Sequence, residues 1–172
     1  LYGNFTSLAL AIDGQEQQEV EVDLIVPEAF LADKDASLVR LACGLEAVQS
    51  QIDKPQIYTL QADSYHELID HPFEIAEQDS FDFIIQDNSH QTLSHHFYLS
   101  GKHSANMGRL QQDVTQICQT YLDWLGDAPF NDYTFMTFAS GQDYGGLEHI
   151  NSTSLITPRR DLPNADEPKV PS

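Results

Sequence analysis

Residues 18–26, QEVEVDLIV, alternate apolar and polar positions: Val20, Val22, Leu24 and Val26 share one side, and Glu19, Glu21 and Asp23 take the other. A period of two predicts a half-buried strand, and Pro27 stops it. FTSLALAI (5–12) predicts a strand before it, with Asp13-Gly14 as a hairpin turn between the two. Residues 36–48 fit helix and strand equally. QIYTLQA (56–62) reads as a further strand, so the first third is mostly β.

The pattern changes at Asp63. Ser64-x-x-Glu67 is a capping box that opens a short helix, SYHELID, stopped by Pro72. FDFIIQ (81–86) and HHFYLS (95–100) read as strands around a polar turn. A long helix is predicted over about 105–125, its apolar stripe formed by Leu110, Val114, Ile117, Tyr121 and Leu125, with Gly126 as its C-cap. YTFMTFA (133–139) is another β run, and YGGLEH follows a short Ser-Gly-Gln-Asp turn. Residues 156–172 carry four prolines and are expected to be poorly ordered by themselves. The expected domain boundary lies near residue 62.

Composition changes the picture mainly through charge. With 8 basic and 27 acidic residues in 172, the formal net charge is −19. That balance excludes a nucleic-acid footprint and disfavours anionic membrane surfaces. Hydrophobic residues make up 41%, enough for a packed core. No apolar run approaches the roughly 20 residues of a membrane-spanning helix. The two cysteines, Cys43 and Cys118, lack the spacing of a metal pair.

HELIDH, His66 to His71, is one residue longer than the zinc motif H-E-x-x-H. Its histidines stand about 140° apart on a helix and cannot share one ion. His90, His95, His96 and His103 form a second histidine-rich stretch, but adjacent strand residues point to opposite faces, which separates His95 from His96. Neither G-x-S-x-G nor a phosphate-cradling glycine loop is present.

The remaining candidate is YGGLEHINSTSL, Tyr144 to Leu155. Glycine weakens a strand but admits close approach of another backbone. A peptide could add to such an edge through main-chain hydrogen bonds. In an extended segment Gly146 and Glu148 share one face, and Leu147 and His149 take the other. Glu148 would then stand where a peptide's free ammonium group could pair with it. The same residues also fit a plain Gly-Gly bend with a surface glutamate.

Three stretches resemble the glycyl aminopeptidase family, zinc metallopeptidases of the gluzincin type that usually carry a PDZ-like domain. ADSYHELIDHPFEI (Ala62 to Ile75) is similar to the segment that opens the family's catalytic domain. HHFYLSGKH, with the following helix containing Leu110, Asp113 and Ile117, is similar to its strand–helix unit. APFNDYTF followed by YGGLEHINSTSL is similar to its Y-x-F strand and G-G-L-E-H signature.

The resemblance implies an α+β chain: residues 1–62 as the end of an N-terminal β domain, and 63–172 as the first part of a thermolysin-like mixed α/β catalytic domain. It implies a zinc aminopeptidase as the parent, with zinc-activated water attacking a peptide carbonyl and the zinc motif's own glutamate as general base. By the same resemblance Gly145, Gly146, Leu147, Glu148 and His149 bind substrate, with Glu148 on the amine of a peptide that has a free N-terminus. No role for His149 follows. No H-E-x-x-H occurs in the sequence, so catalytic residues and zinc ligands are expected outside this chain, which is expected to be an inactive section of a longer polypeptide. The alternative is a non-catalytic peptide-binding scaffold module. Oligomeric state stays open, as does the compartment, cytoplasmic or periplasmic.

Overall fold

The computed structural model describes residues 1–49 and 56–164. Two compact units divide at Gln78/Asp79, further along the chain than the change of pattern at residue 62.

The first unit, Leu1–Gln78, begins with β1 (Tyr2–Gly3) and α1 (Phe5–Leu8). The helix at 5–8 overturns the expected strand over 5–12. Asn4 caps it, its side-chain oxygen accepting the Thr6 N–H at 3.0 Å, and Phe5 is buried while Leu10 and Ile12 are exposed. Asn4 captures an N–H that a strand would need, and of the run only Phe5 is buried in the core, with Ala9 packed against it. Asp13-Gly14 is therefore a turn without a hairpin, with Gly14 at φ 78°.

The predicted strand around QEVEVDLIV is β2 (Val20–Val26). α2 (Glu28–Leu31), β3 (Val39–Cys43), β4 (Ala47–Gln49) and β5 (Gln56–Ala62) follow. β2 and β4 flank β5 in a three-stranded antiparallel sheet. The ambiguous 36–48 segment thus holds β3 and the start of β4, with a turn before β3 and a bend between the two. Ser64 caps α3 (Tyr65–Ile69) by accepting the Glu67 N–H at 3.1 Å, and Glu67 answers by accepting the Asp63 N–H. β6 (Phe73–Gln86) begins in this unit, where β1 and β3 pair with its first residues. Phe5, Val26, Leu60, Leu68, Phe73 and Ile75 form the core. Because Leu68, Phe73 and Ile75 belong to this core, the unit continues past the expected boundary.

The second unit, from Asp79, contains the rest of β6, β7 (Thr92–Ser100), α4 (Met107–Leu125), β8 (Asp132–Ser140), β9 (Gly145–Glu148) and β10 (Ser152–Pro158). The strand order is β6-β7-β8-β10-β9. β7 and β10 run parallel to β8 on either side, and β9 pairs antiparallel with β10 at the edge. α4 covers the face that carries Phe97, Leu99 and Phe135.

The inward positions of α4 are Met107, Leu110, Val114, Cys118 and Leu122 rather than the expected stripe through Tyr121 and Leu125. Both sets obey the helical period, and the sheet selects the first. Ile117, Tyr121 and Leu125 stay exposed along an apolar cleft of about 380 Å³. The expectation of poor order from residue 156 is also overturned as far as residue 164. Ile156, Thr157 and Pro158 pair with β8, Leu162 is buried, and the Pro163 carbonyl accepts the Asn106 N–H at 2.8 Å. Proline is tolerated here because it ends the strand rather than interrupting it.

Candidate functional site

β9 and β10 form a hairpin at the edge of the second unit's sheet. Its register sets Gly145 opposite Ile156, Gly146 opposite Leu155, Leu147 opposite Ser154 and Glu148 opposite Thr153. Cross-strand partners share a face. Gly146 and Glu148 therefore lie on the side of Leu155 and Thr153, and Leu147 lies on the side of Ser154, as the alternation predicts. Among the described residues no further strand pairs with β9, so its outer edge is open. Gly146, Leu147 and Glu148 are exposed.

The two glycines differ in cause. A Cβ on Gly146 would stand 2.9 Å from Leu155 Cδ2, whereas one on Gly145 would meet nothing within 4 Å. Gly146 thus fits a close approach across the hairpin, and Gly145 leaves the outer edge bare.

His149 lies past the end of β9, half-buried, and its N–H donates to the Ser152 carbonyl at 2.8 Å. It belongs to the turn, so strand alternation no longer sets its direction. The same carbonyl accepts the Tyr133 hydroxyl of β8 at 3.2 Å. Burial raises the pKa of that phenol, and the charges of Cys118 and Glu148 add to the effect. Thr134 N–H donates to Asn151 O at 3.0 Å and Thr153 Oγ1 to Leu147 O at 3.3 Å. β8 thereby holds the turn from inside the sheet, while the outer edge offers unpaired main-chain groups and one carboxylate. Such an edge can add an extended peptide and pair its cationic end.

The other candidate groups are structural. His71 is buried, its Nδ1 2.7 Å from the Glu67 carbonyl, while His66 is exposed at the far side of α3. His95 is buried and stacks on Phe83 with ring centroids 4.7 Å apart; burial lowers its pKa. His96 points to the opposite face, between Asp82 and Asp132. His103 Nε2 stands 3.5 Å from Asp79, and His90 occupies a turn at φ 63°. Among the described residues no group of three or more His, Cys, Asp or Glu side chains is arranged to hold a metal ion. The described residues therefore do not fit a zinc centre. Sequence reasoning missed the pairing of His96 with Asp82 and Asp132, which lie 14 and 36 residues away.

Known proteins share both parts of this architecture. Residues 1–77 match the Peptidase M61 N-terminal domain. The whole chain is similar to the structure of an aminopeptidase N family protein from Idiomarina loihiensis, with 34% identity and a TM-score of 0.81; the match covers 99% of this chain and 27% of that one. A variant of a two-domain M1 zinc metallopeptidase bound to L-arginine shares the fold at 15% identity and a TM-score of 0.52, over 83% of this chain and 31% of that one. An M1 zinc metallopeptidase from Deinococcus radiodurans does so at 13% and 0.51, over 80% and 29%. No curated protein matches. The chain is thus similar to a peptidase N-terminal domain and to an aminopeptidase N family protein, and it spans less than a third of the length of the solved structures it matches.

Proposed function

We propose that this chain is the front section of a zinc-dependent aminopeptidase of the glycyl aminopeptidase kind, and that β9 is the edge on which the substrate peptide lies. The observation that carries the reading is the open strand Gly145–Gly146–Leu147–Glu148, supported by the match of residues 1–77 to the Peptidase M61 N-terminal domain. A peptide adds beside Gly145 and Gly146 through main-chain hydrogen bonds, and its ammonium group pairs with Glu148. The unit that begins at Asp79 then forms the first part of a thermolysin-like catalytic domain. The zinc ligands and catalytic groups belong to residues outside this chain, which by itself is inactive.

The test is Glu148→Ala in the longest reading frame that contains the chain. Loss of a charged hydrogen bond of about 1.5–3 kcal/mol corresponds to a fall in kcat/KM of roughly 10- to 150-fold. The fall should be confined to substrates with a free N-terminus. Equal loss on N-terminally blocked peptides would make Glu148 structural. A frame without H-E-x-x-H and without hydrolysis would leave β9 as the docking edge of a non-catalytic scaffold.

A further inference from the structure

The exposed face of the second unit's sheet, opposite α4, carries an arrangement that the peptidase reading does not use. His96 stands on β7 between Asp82 of β6 and Asp132 of β8. Its Nδ1 lies 2.7 Å from Asp82 Oδ1 and its Nε2 lies 2.8 Å from Asp132 Oδ2. Neutral imidazole has one N–H and one lone pair, whereas imidazolium has two N–H groups. Two ionised carboxylates at hydrogen-bond distance, one at each nitrogen, are both satisfied only by imidazolium. We propose that Asp82, His96 and Asp132 form a pH-operated tie across β6, β7 and β8: closed when His96 carries both protons, and opened at one of its two ends when His96 is neutral.

Two carboxylates face the ring from the neighbouring strands. β6 presents Asp82 and β8 presents Asp132, and these are the carboxylates that bear on His96. On β7 itself the neighbouring titratable group is His95, buried on the other face among aromatic rings. α4 covers that other face, and its Gln111 reaches the Asp82 main-chain carbonyl rather than the carboxylate. Burial alone would disfavour the charged ring, but the hydrogen bonds and charges of Asp82 and Asp132 outweigh it and raise the pKa. The side chains are 34%, 75% and 48% exposed for His96, Asp82 and Asp132, so solvent protons reach the tie freely and salt weakens it.

The sign of the effect follows. A histidine whose folded pKa is raised contributes stability that is full below its unfolded value of about 6.5 and lost as pH rises through the folded value. His95 has the opposite sign: its lowered pKa withdraws stability as pH falls below about 6.5. The two neighbours therefore oppose each other in any whole-chain measurement, and the contribution of His96 has to be read as a difference.

The experiment uses the 172-residue chain and its His96→Gln variant, with thermal unfolding followed from about pH 5.5 to about pH 8.5. The advantage of the parent chain over the variant should be a few degrees at the acidic end and shrink toward zero at the alkaline end. Imidazole nitrogen shifts from NMR should show His96 titrating above a free histidine, and Asp132→Asn should bring its pKa down. If the melting difference does not change with pH, or if His96 titrates at or below the free value in the folded chain, the tie does not operate. Should His96→Gln fail to fold, the NMR titration of the parent chain and of Asp132→Asn decides by itself.

Discussion

Gly101 offers a direct test of how tightly the parallel core of the second unit is built. It follows β7 at φ 84°, and a Cβ there would stand 2.7 Å from the Ala139 carbonyl oxygen and 3.1 Å from Phe138 Cε2. Gly126, the C-cap of α4, also has a positive φ, 96°, but its Cβ position meets nothing within 4 Å. Alanine at either position incurs a positive-φ cost of about 1–2 kcal/mol. At Gly101 it also collides with a main-chain oxygen of β8, which cannot turn aside as a flexible side chain can. Overpacking of that kind adds about 1–3 kcal/mol. Gly101→Ala should therefore lose about 2–5 kcal/mol and Gly126→Ala about 1–2 kcal/mol. Urea unfolding of both variants, followed by far-UV circular dichroism, measures the two losses in one unit. Equal losses, or a larger one at Gly126, would refute the argument that β7 leaves the sheet in contact with the β8 backbone.

Two further perturbations probe the interior. Leu99 is fully buried beside Phe97, Ala139 and Leu162, so Leu99→Ala should cost about 2–5 kcal/mol in urea unfolding, whereas Ile84→Ala at a solvent-facing position should stay within about 0.5 kcal/mol. Burial pushes the thiols of Cys43 and Cys118 up to about 11, so at pH 8 both remain protonated; iodoacetamide labelling read by mass spectrometry should be on the order of 100-fold slower in the native chain than in urea, and equal rates would show that the thiols are open.

Elements whose local signals agree with their packing were legible in the sequence. QEVEVDLIV alternates cleanly and is a strand, and the Ser64–Glu67 capping box opens a helix as expected. FTSLALAI was misread because its apolar run carries no information about Asn4, whose side chain captures a main-chain N–H and starts a helix instead. β10 was hidden by its composition. Ser, Thr and Pro resemble a loop, but a strand between β8 and β9 is held by its two ladders rather than by apolar side chains. On α4 the period was right and the phase was wrong, since two stripes satisfy 3.6 residues per turn and packing against the sheet chooses between them.

The same distinction separates the edge strand from the histidine tie. The edge strand was legible because Gly145, Gly146, Leu147 and Glu148 are consecutive, and strand alternation fixes their faces once one register pair is known. The grouping of Asp82, His96 and Asp132 was not, because it arises only when three strands align. The sequence did separate His95 from His96 by alternation, and that separation gives the adjacent rings their opposite chemistry. One is stacked on Phe83 in an apolar layer that disfavours its charge; the other stands between two carboxylates that favour it. β8 links this tie to the β9–β10 hairpin, since Asp132 begins the strand, Tyr133 holds the Ser152 carbonyl and Thr134 pairs with Ser152. A peptide added at β9 as proposed, with its ammonium group on Glu148, would bear through β10 on the end of β8 that holds Asp132. A change in peptide affinity between the parent chain and His96→Gln that grows as pH falls is the expected sign of that link, and a pH-independent ratio of affinities would show that the edge and the tie act separately.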